Sequence, residues 1–180
     1  MKLTLIASLS VLSTLVSGLA LPELVRRGSP IYPSVCVSIK EKFPGTSFPG
    51  PTVEVSRQNG SNNVKALLGF EVPACTGSCT VSFSDAAPTP SGSRRMQFFT
   101  SGRYPKSGDT WDMKPYTDIH KGTFTTTASG SGPATVIEDF GLTFKCPSVS
   151  TQYGFEVQPV WDNDFVSWNC NTGGYIITCT

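Results

Sequence analysis

Apolar positions in this chain recur with a period of two. In Val64 to Val72 the residues Val64, Ala66, Leu68, Phe70 and Val72 point one way, and further on Tyr153, Phe155 and Val157 alternate with Gly154 and Glu156. Such alternation marks a strand with one face buried and the other wet. Runs of this kind, rich in Val, Phe, Ile and Thr, predict strands at Tyr32 to Ile39, Thr52 to Arg57, Val64 to Val72, Ser78 to Phe83, Arg95 to Thr100, Gly122 to Thr127, Leu142 to Cys146, Tyr153 to Val160, Asp164 to Asn169 and Gly174 to Cys179. No long stretch carries the period of an amphipathic helix. Many short strands between turn signals imply an all-β fold, an antiparallel β-sandwich. Gly173-Gly174 offers the positive backbone angles of a tight hairpin, so the last two strands are expected to pair. Ala86 to Ser93 and Ala128 to Pro133 are too short for interdomain linkers and read as loops at the sandwich ends.

Composition narrows the class. At 180 residues, with 38% hydrophobic and 15% charged, the chain is long enough for one domain and hardly for two. Lys+Arg 14 against Asp+Glu 13 leaves a formal charge of +1, which gives no electrostatic footprint for a phosphate backbone or anionic lipid. Nucleic acid is therefore excluded as a partner class.

The first residues run from Lys2 through an apolar stretch, Leu3 to Val16, to Gly18-Leu19-Ala20. This predicts a secretory signal peptide over 1–20, cut after Ala20. A membrane anchor is the competing reading, but Ser8, Ser10, Ser13 and Thr14 interrupt a run too short to span. Residues 21–27 end in Arg26-Arg27 and resemble a propeptide with a second cut after Arg27. The single β-sandwich domain would then occupy 28–180, secreted and clear of the membrane.

All six cysteines, Cys36, Cys75, Cys79, Cys146, Cys170 and Cys179, follow the leader, and an even number in an exported chain reads as disulfides. Zinc is a poor alternative, because Cys75-x-x-x-Cys79 has no second pair and the one histidine, His120, is remote in sequence. Cys79, Val81 and Phe83 share one strand face, as do Leu142, Phe144 and Cys146, which favours a Cys79–Cys146 bridge worth roughly 3 to 4 kcal/mol. The pairing of Cys36, Cys75, Cys170 and Cys179 stays open. Asn59-Gly60-Ser61 is an N-glycosylation sequon in a polar turn, Gln58 to Asn63.

An ordered set of segments then carries a family resemblance. Phe70-Glu71-Val72-Pro73-Ala74, Gly77-Ser78-Cys79-Thr80-Val81-Ser82-Phe83, Gly122-Thr123-Phe124, Phe144-Lys145-Cys146-Pro147, Tyr153-Gly154-Phe155-Glu156-Val157 and Gly174-Tyr175-Ile176-Ile177-Thr178 resemble the C-terminal domain of the fungal ubiquitin-three-binding protein, But-two type. The resemblance runs from about Ile31 to the end. It implies an extracellular fungal β-sandwich with the motif cysteines on Cys79 and Cys146, and little chemistry. Cys36, Cys75 and Cys170 depart from the pattern, and Arg94 to His120 has no match. Those departures imply a more tightly stapled variant.

The catalytic signals are thin. His120 is the one candidate base for a hydrolytic triad, and no Gly-x-Ser-x-Gly elbow presents a serine. Asp109, Asp112, Glu138, Asp139, Glu156, Asp162 and Asp164 could supply a carboxylate pair. Asp162-Asn163-Asp164 hints at calcium, but Val166 stands where an EF-hand loop needs an oxygen ligand. Arg94, Arg95, Arg103 and Lys106 form a modest basic strip of the kind that guards an edge strand. Aromatic residues Tyr104, Trp111, Tyr116, Trp161, Phe165, Trp168 and Tyr175 crowd two polar regions. Trp168 alternates with Val166 and Cys170 and reads as core. Trp111 and Trp161 sit beside aspartates in loops and are the candidate binding residues, since an indole can stack on a sugar ring. The expected function is a secreted noncatalytic binding or cell-wall-associated protein, a monomer with neither cofactor nor metal, taking cell-wall polysaccharide or an extracellular protein. A small secreted hydrolase using a carboxylate pair and an effector-like protein with a protein partner are the alternatives.

Overall fold

The computed structural model describes residues 28–87 and 90–180. The expected leader over 1–20, its cut after Ala20, and the 21–27 segment with its cut after Arg27 lie outside the described residues. Strands follow one another as β1 (Pro30–Ile31), β2 (Val35–Lys40), β3 (Ser47–Pro49), β4 (Thr52–Gln58), β5 (Ser61–Val72), β6 (Ser78–Phe83), β7 (Ser91–Gly92), β8 (Arg95–Ser101), β9 (Thr117–Thr125), β10 (Thr135–Asp139), β11 (Thr143–Lys145), β12 (Thr151–Pro159), β13 (Asp164–Asn169) and β14 (Tyr175–Cys179). Among the described residues there is no helix long and apolar enough to cross a membrane.

The strands form two antiparallel sheets. The smaller has the order β1-β14-β6-β11, and the larger has β10-β9-β8-β12-β5-β4-β13-β7, with β2 alongside β5 and β3 on β2. Period-two patterning places Leu68 and Phe70 of β5, Phe155 of β12, Phe98 of β8, Trp168 of β13 and Val81 and Phe83 of β6 on inward faces, where they pack into one core. Tyr175 stands at its centre, 4.7 Å from Phe98, 4.9 Å from Phe83 and 5.2 Å from Phe124 between ring centroids. Each such aromatic pair contributes about 0.5–1.5 kcal/mol beyond its buried area. The Tyr175 hydroxyl has no hydrogen-bond partner among the described residues, and burial raises its pKa well above the ordinary tyrosine value.

Three disulfides staple this arrangement: Cys36–Cys170, Cys75–Cys179 and Cys79–Cys146. Cys79–Cys146 ties β6 to the end of β11, and Cys75–Cys179 holds the last strand. Cys36–Cys170 draws β2 to the end of β13, and its grip is reinforced by hydrogen bonds from Gly50 N to Cys36 O (3.2 Å) and Cys170 N to Pro51 O (2.7 Å).

Three sequence expectations are corrected. First, β13 and β14 do not pair: β13 lies between β4 and β7, while β14 lies between β1 and β6. The Gly173-Gly174 turn carries the chain from one sheet to the other, with Gly174 N bonded to Asp85 O (2.7 Å). Second, the alternation missed β1, β3, β7 and β10, which are short or exposed along their length, and β9 starts at Thr117 instead of Gly122. Third, the outer face of the large sheet is not wet at its centre. Leu67 of β5 faces Glu156 of β12 in register there, and both are 0% exposed.

That outer face is covered by a strap, residues 102–116, connecting β8 to β9. Trp111 packs against a second core of Val37, Ile39 and Leu67 together with Val35. The phenol end of Tyr104 lies on Gly69, where a Cβ would come within 2.7 Å of its ring, and its hydroxyl meets Ser34 Oγ at 2.6 Å. Asp109, buried inside the strap, accepts both guanidinium nitrogens of Arg103 (2.6 and 2.8 Å) and the Lys106 amide (2.9 Å). Beneath the strap, Glu156 Oε1 accepts from Lys65 (2.9 Å) and Gln158 (2.7 Å), and Oε2 from Lys114 (2.6 Å) and Thr117 (3.0 Å). Burial alone would raise the Glu156 pKa, but the two ammonium groups outweigh it and hold the carboxyl below its ordinary value.

Because this pKa is depressed in the folded state, its stabilisation is full above the unfolded value and is lost as pH falls through the folded one. Glu156→Ala, which strands two lysines, is expected to cost about 3–5 kcal/mol in urea unfolding at neutral pH. Glu156→Gln should flatten the acid limb of the stability curve, and an unchanged acid limb would show that the carboxylate is not what anchors the strap.

Candidate functional site

Asn59 and Gly60, the two central residues of the β4–β5 turn, have φ of 50° and 71°. This is the left-handed pair that a two-residue hairpin requires, and it sets Gln58 opposite Ser61. A second turn, between β12 and β13, clasps the first: Gly60 N donates to Asp162 O (3.0 Å) and Asn59 N to Asn163 Oδ1 (3.0 Å). Between the two turns and β7 lies an open cleft of about 460 Å³.

Phe165 supplies the apolar surface of the cleft. Its cross-strand partners are Ser56 of β4 and Ser91 of β7, so a hydroxyl flanks the ring on each side. Arg57, Gln58, Asn62, Gly92 and Asn163 also line it. Arg57 Nε donates to Asn63 Oδ1 (2.5 Å) and Nη1 to Val160 O (3.4 Å), which fixes the guanidinium in place. Trp161 belongs to the same turn as Asn163 and is 56% exposed. Asn59, the sequon residue, is exposed at the tip of the opposing turn.

Asp164 also borders the cleft but has no lone pair to spare for a ligand. Its buried carboxylate accepts from Ser93 N (2.6 Å) and Arg94 N (3.1 Å) at Oδ1, and from Ser93 Oγ (3.0 Å) and Trp161 N (2.8 Å) at Oδ2. Four of the other candidate acids are similarly engaged. Asp109 clamps Arg103, Glu156 lies between two lysines, and Glu138 accepts from Thr123 (2.5 Å). Asp139 caps Gly141 and Leu142, two backbone bonds that hold its pKa below the ordinary aspartate value. Only Asp112 and Asp162 of the seven remain as exposed carboxylates without a hydrogen-bond or salt-bridge partner among the described residues.

The remaining sequence candidates separate. Trp111 is half-buried in the second core with Lys65 Nζ 5.1 Å from its ring centroid, so it serves packing and offers no open platform. Trp168 is core, as its alternation implies. His120 stacks on Phe99 (4.7 Å) and leans on Phe140 (5.1 Å), with Nε2 3.0 Å from Gly122 O and no serine among its hydrogen-bond partners. Asp118 accepts from Thr100 (3.3 Å) and does not orient the imidazole. The basic strip dissolves as well: Arg95 sits on β8, an interior strand, and Arg103 is bound to Asp109. The sulfurs of Cys75, Cys146 and Cys179 lie within 4.8 Å of one another, but all three are in disulfides, so the cluster offers no thiolate for a metal. Sequence reasoning missed Ser56, Arg57, Gln58, Asn62 and Ser91. Their signal was the Asn59-Gly60 turn, but the pairing of β4 with β13 that assembles them has no local mark.

No protein-family model matches the chain, and no curated protein sequence matches it. Among solved structures, the K3 cleaved adhesin domain of Lys-gingipain from Porphyromonas gingivalis w83 aligns with a TM-score of 0.36 and 12% identity, over 86% of this chain and 98% of that one. The CBM22-1–GH10 modules of Clostridium thermocellum endo-1,4-β-D-xylanase 10B, complexed with xylohexaose, align with a TM-score of 0.32 and 11% identity, over 87% of this chain and 29% of that one. Likeness at that level leaves function to the chain's own residues.

Asp164→Ala should destabilise the fold by about 1–3 kcal/mol, because four donors lose their acceptor. Asp162→Ala, at an exposed side chain, should stay within about 0.5 kcal/mol. Thermal unfolding of the two variants checks this, and equal losses would show that the two aspartates play equivalent roles.

Proposed function

We propose that this chain is a secreted, noncatalytic binding protein of the cell wall or extracellular medium, and that it takes a polysaccharide at the Trp161–Phe165 cleft. The observation that carries the reading is one aromatic ring, Phe165, flanked by serine hydroxyls and amide side chains, with Trp161 exposed in the turn that bounds the cleft. An aromatic face gives a sugar ring apolar contact, and the surrounding hydroxyls, amides and guanidinium match its hydroxyls. Five of the seven acids that a hydrolase could have used are committed to structural hydrogen bonds, which favours binding over turnover. Three disulfides and no free cysteine among the described residues support an oxidising, extracellular setting. The resemblance to the But-two type domain agrees with this placement. A glycan on Asn59 would border the cleft and limit how long a ligand can run across it.

A protein partner is the second reading, favoured by one feature. β10 is an edge strand whose Val136 and Ile137 are each 45% exposed, with exposed Phe140 directly after its end, and such an edge can accept another strand.

Cosedimentation of the purified secreted protein with insoluble chitin, β-glucan and cellulose, with reducing ends assayed in the supernatant, tests the first reading. Retention without release is expected, and Trp161→Ala and Phe165→Ala should each weaken it about tenfold. Release of reducing ends, or retention indifferent to both variants, would overturn it, and a crosslinked partner lost on Val136→Lys would establish the second reading instead.

A further inference from the structure

The two sheets differ in width, and the difference leaves a gap between them. β11, the outermost strand of the small sheet, is only three residues long, so the inner faces of β8, β9 and β12 run on beyond its cover. The result is a half-open cavity of about 200 Å³. Val81 and Phe155, each 3% exposed, form its floor, and Phe144 and Tyr153, with ring centroids 5.4 Å apart, form a wall. The Thr100 hydroxyl at its border is already bonded to Ile119 N (2.9 Å) and Asp118.

One charged side chain lines this apolar space, Lys121, and the backbone goes out of its way to put it there. β9 bulges at this point: Phe98 pairs with Gly122 and Phe99 with His120, so Lys121 has no partner in the register. An unbroken ladder would set Lys121 opposite Phe99 on the outer face. The bulge gives that place to His120 and re-aims the lysine toward the cavity. Its ammonium lies over Gly141, 3.4 Å from where a Cβ there would stand, and among the described residues no carboxylate lies within ion-pair distance of it.

We propose that this cavity binds a small monocarboxylate whose apolar part is a single ring or short chain. The apolar part would lie on Phe155 between the sheets, and the carboxylate would pair with Lys121 at the mouth. Size agrees, since an apolar cavity of about 150 Å³ accommodates benzene, and the additional volume admits a short arm carrying the acid. Charge selects the class: the cation is half-buried and unpaired, so an acid gains an ion pair that a neutral isostere does not. The site lies between the sheets, whereas the Trp161–Phe165 cleft lies on the outer face of β4 and β13, so the two bind independently.

Titration of the secreted protein with 3-phenylpropanoate, 3-phenylpropan-1-ol and 3-phenylpropylamine, followed through backbone amide chemical shifts, tests the assignment. The acid should give saturable shifts centred on Val81, Gly141 and Phe155. The alcohol should bind at least about tenfold more weakly and the amine not at all. Lys121→Met, which keeps the apolar stem of a half-exposed side chain, should reduce affinity for the acid to that for the alcohol and leave the alcohol unchanged. Equal binding of acid and alcohol, insensitivity of the acid to Lys121→Met, or no saturable shift at those amides would each overturn the proposal.

Discussion

A central strand has two faces, and in this protein both must be kept from water. β5 and β12 turn Leu68, Phe70, Phe155 and Val157 inward to the sandwich core, yet their outward residues include Leu67 and Glu156, which are equally buried. An aliphatic group and an ionised carboxylate placed side by side need opposite surroundings. The strap resolves this by bringing Trp111 to the apolar half and Lys114 to the acid, while Lys65 approaches from β5 itself. Removing a carboxylate from water costs several kcal/mol, and only the paired ammonium groups and the hydrogen bonds from Gln158 and Thr117 offset that cost. The strap, the β2–β3 pair it rests on and the second core all follow from how that one face is covered.

Legibility in the sequence tracked this constraint closely. Where one face is buried and the other wet, as in β4, β6 and β13, alternation fixed the strands almost to the residue. Where both faces are buried, the polar member of the alternation misleads: Glu156 reads as a solvated position and is the anchor of a buried network. Alternation names a face but not a sheet: it marks Trp168 as inward-facing, but not that its strand lies in a different sheet from the strand of Tyr175. The two rings reach the same core from opposite sides. β1, β3 and β7 are too short to show a period, and the strap has none because its shape comes from Asp109 capping its own turn.

The candidate cleft was half legible for the same reason. Asn59-Gly60 announces a hairpin, and Trp161-Asp162-Asn163 announces a turn, but their clasp depends on β4 and β13 becoming neighbours across more than half the chain. The acids that sequence offers as catalysts are mostly explained by capping and ion pairing. Short side-chain carboxylates beside turns satisfy turn amides, and Asp139 at the end of β10 and Asp164 at the start of β13 do that here.

The placement of the staples has a further consequence. Every disulfide joins a cysteine that precedes the strap, Cys36, Cys75 or Cys79, to one that follows it, Cys170, Cys179 or Cys146. A protease that nicked the backbone anywhere between residues 102 and 116 would therefore release no fragment. It would leave a two-chain molecule, its halves covalently joined three times over and still interleaved in both sheets. Backbone continuity in that segment is dispensable to the covalent integrity of the domain, whereas its side chains Trp111 and Lys114, which cover Leu67 and Glu156, are not open to exchange.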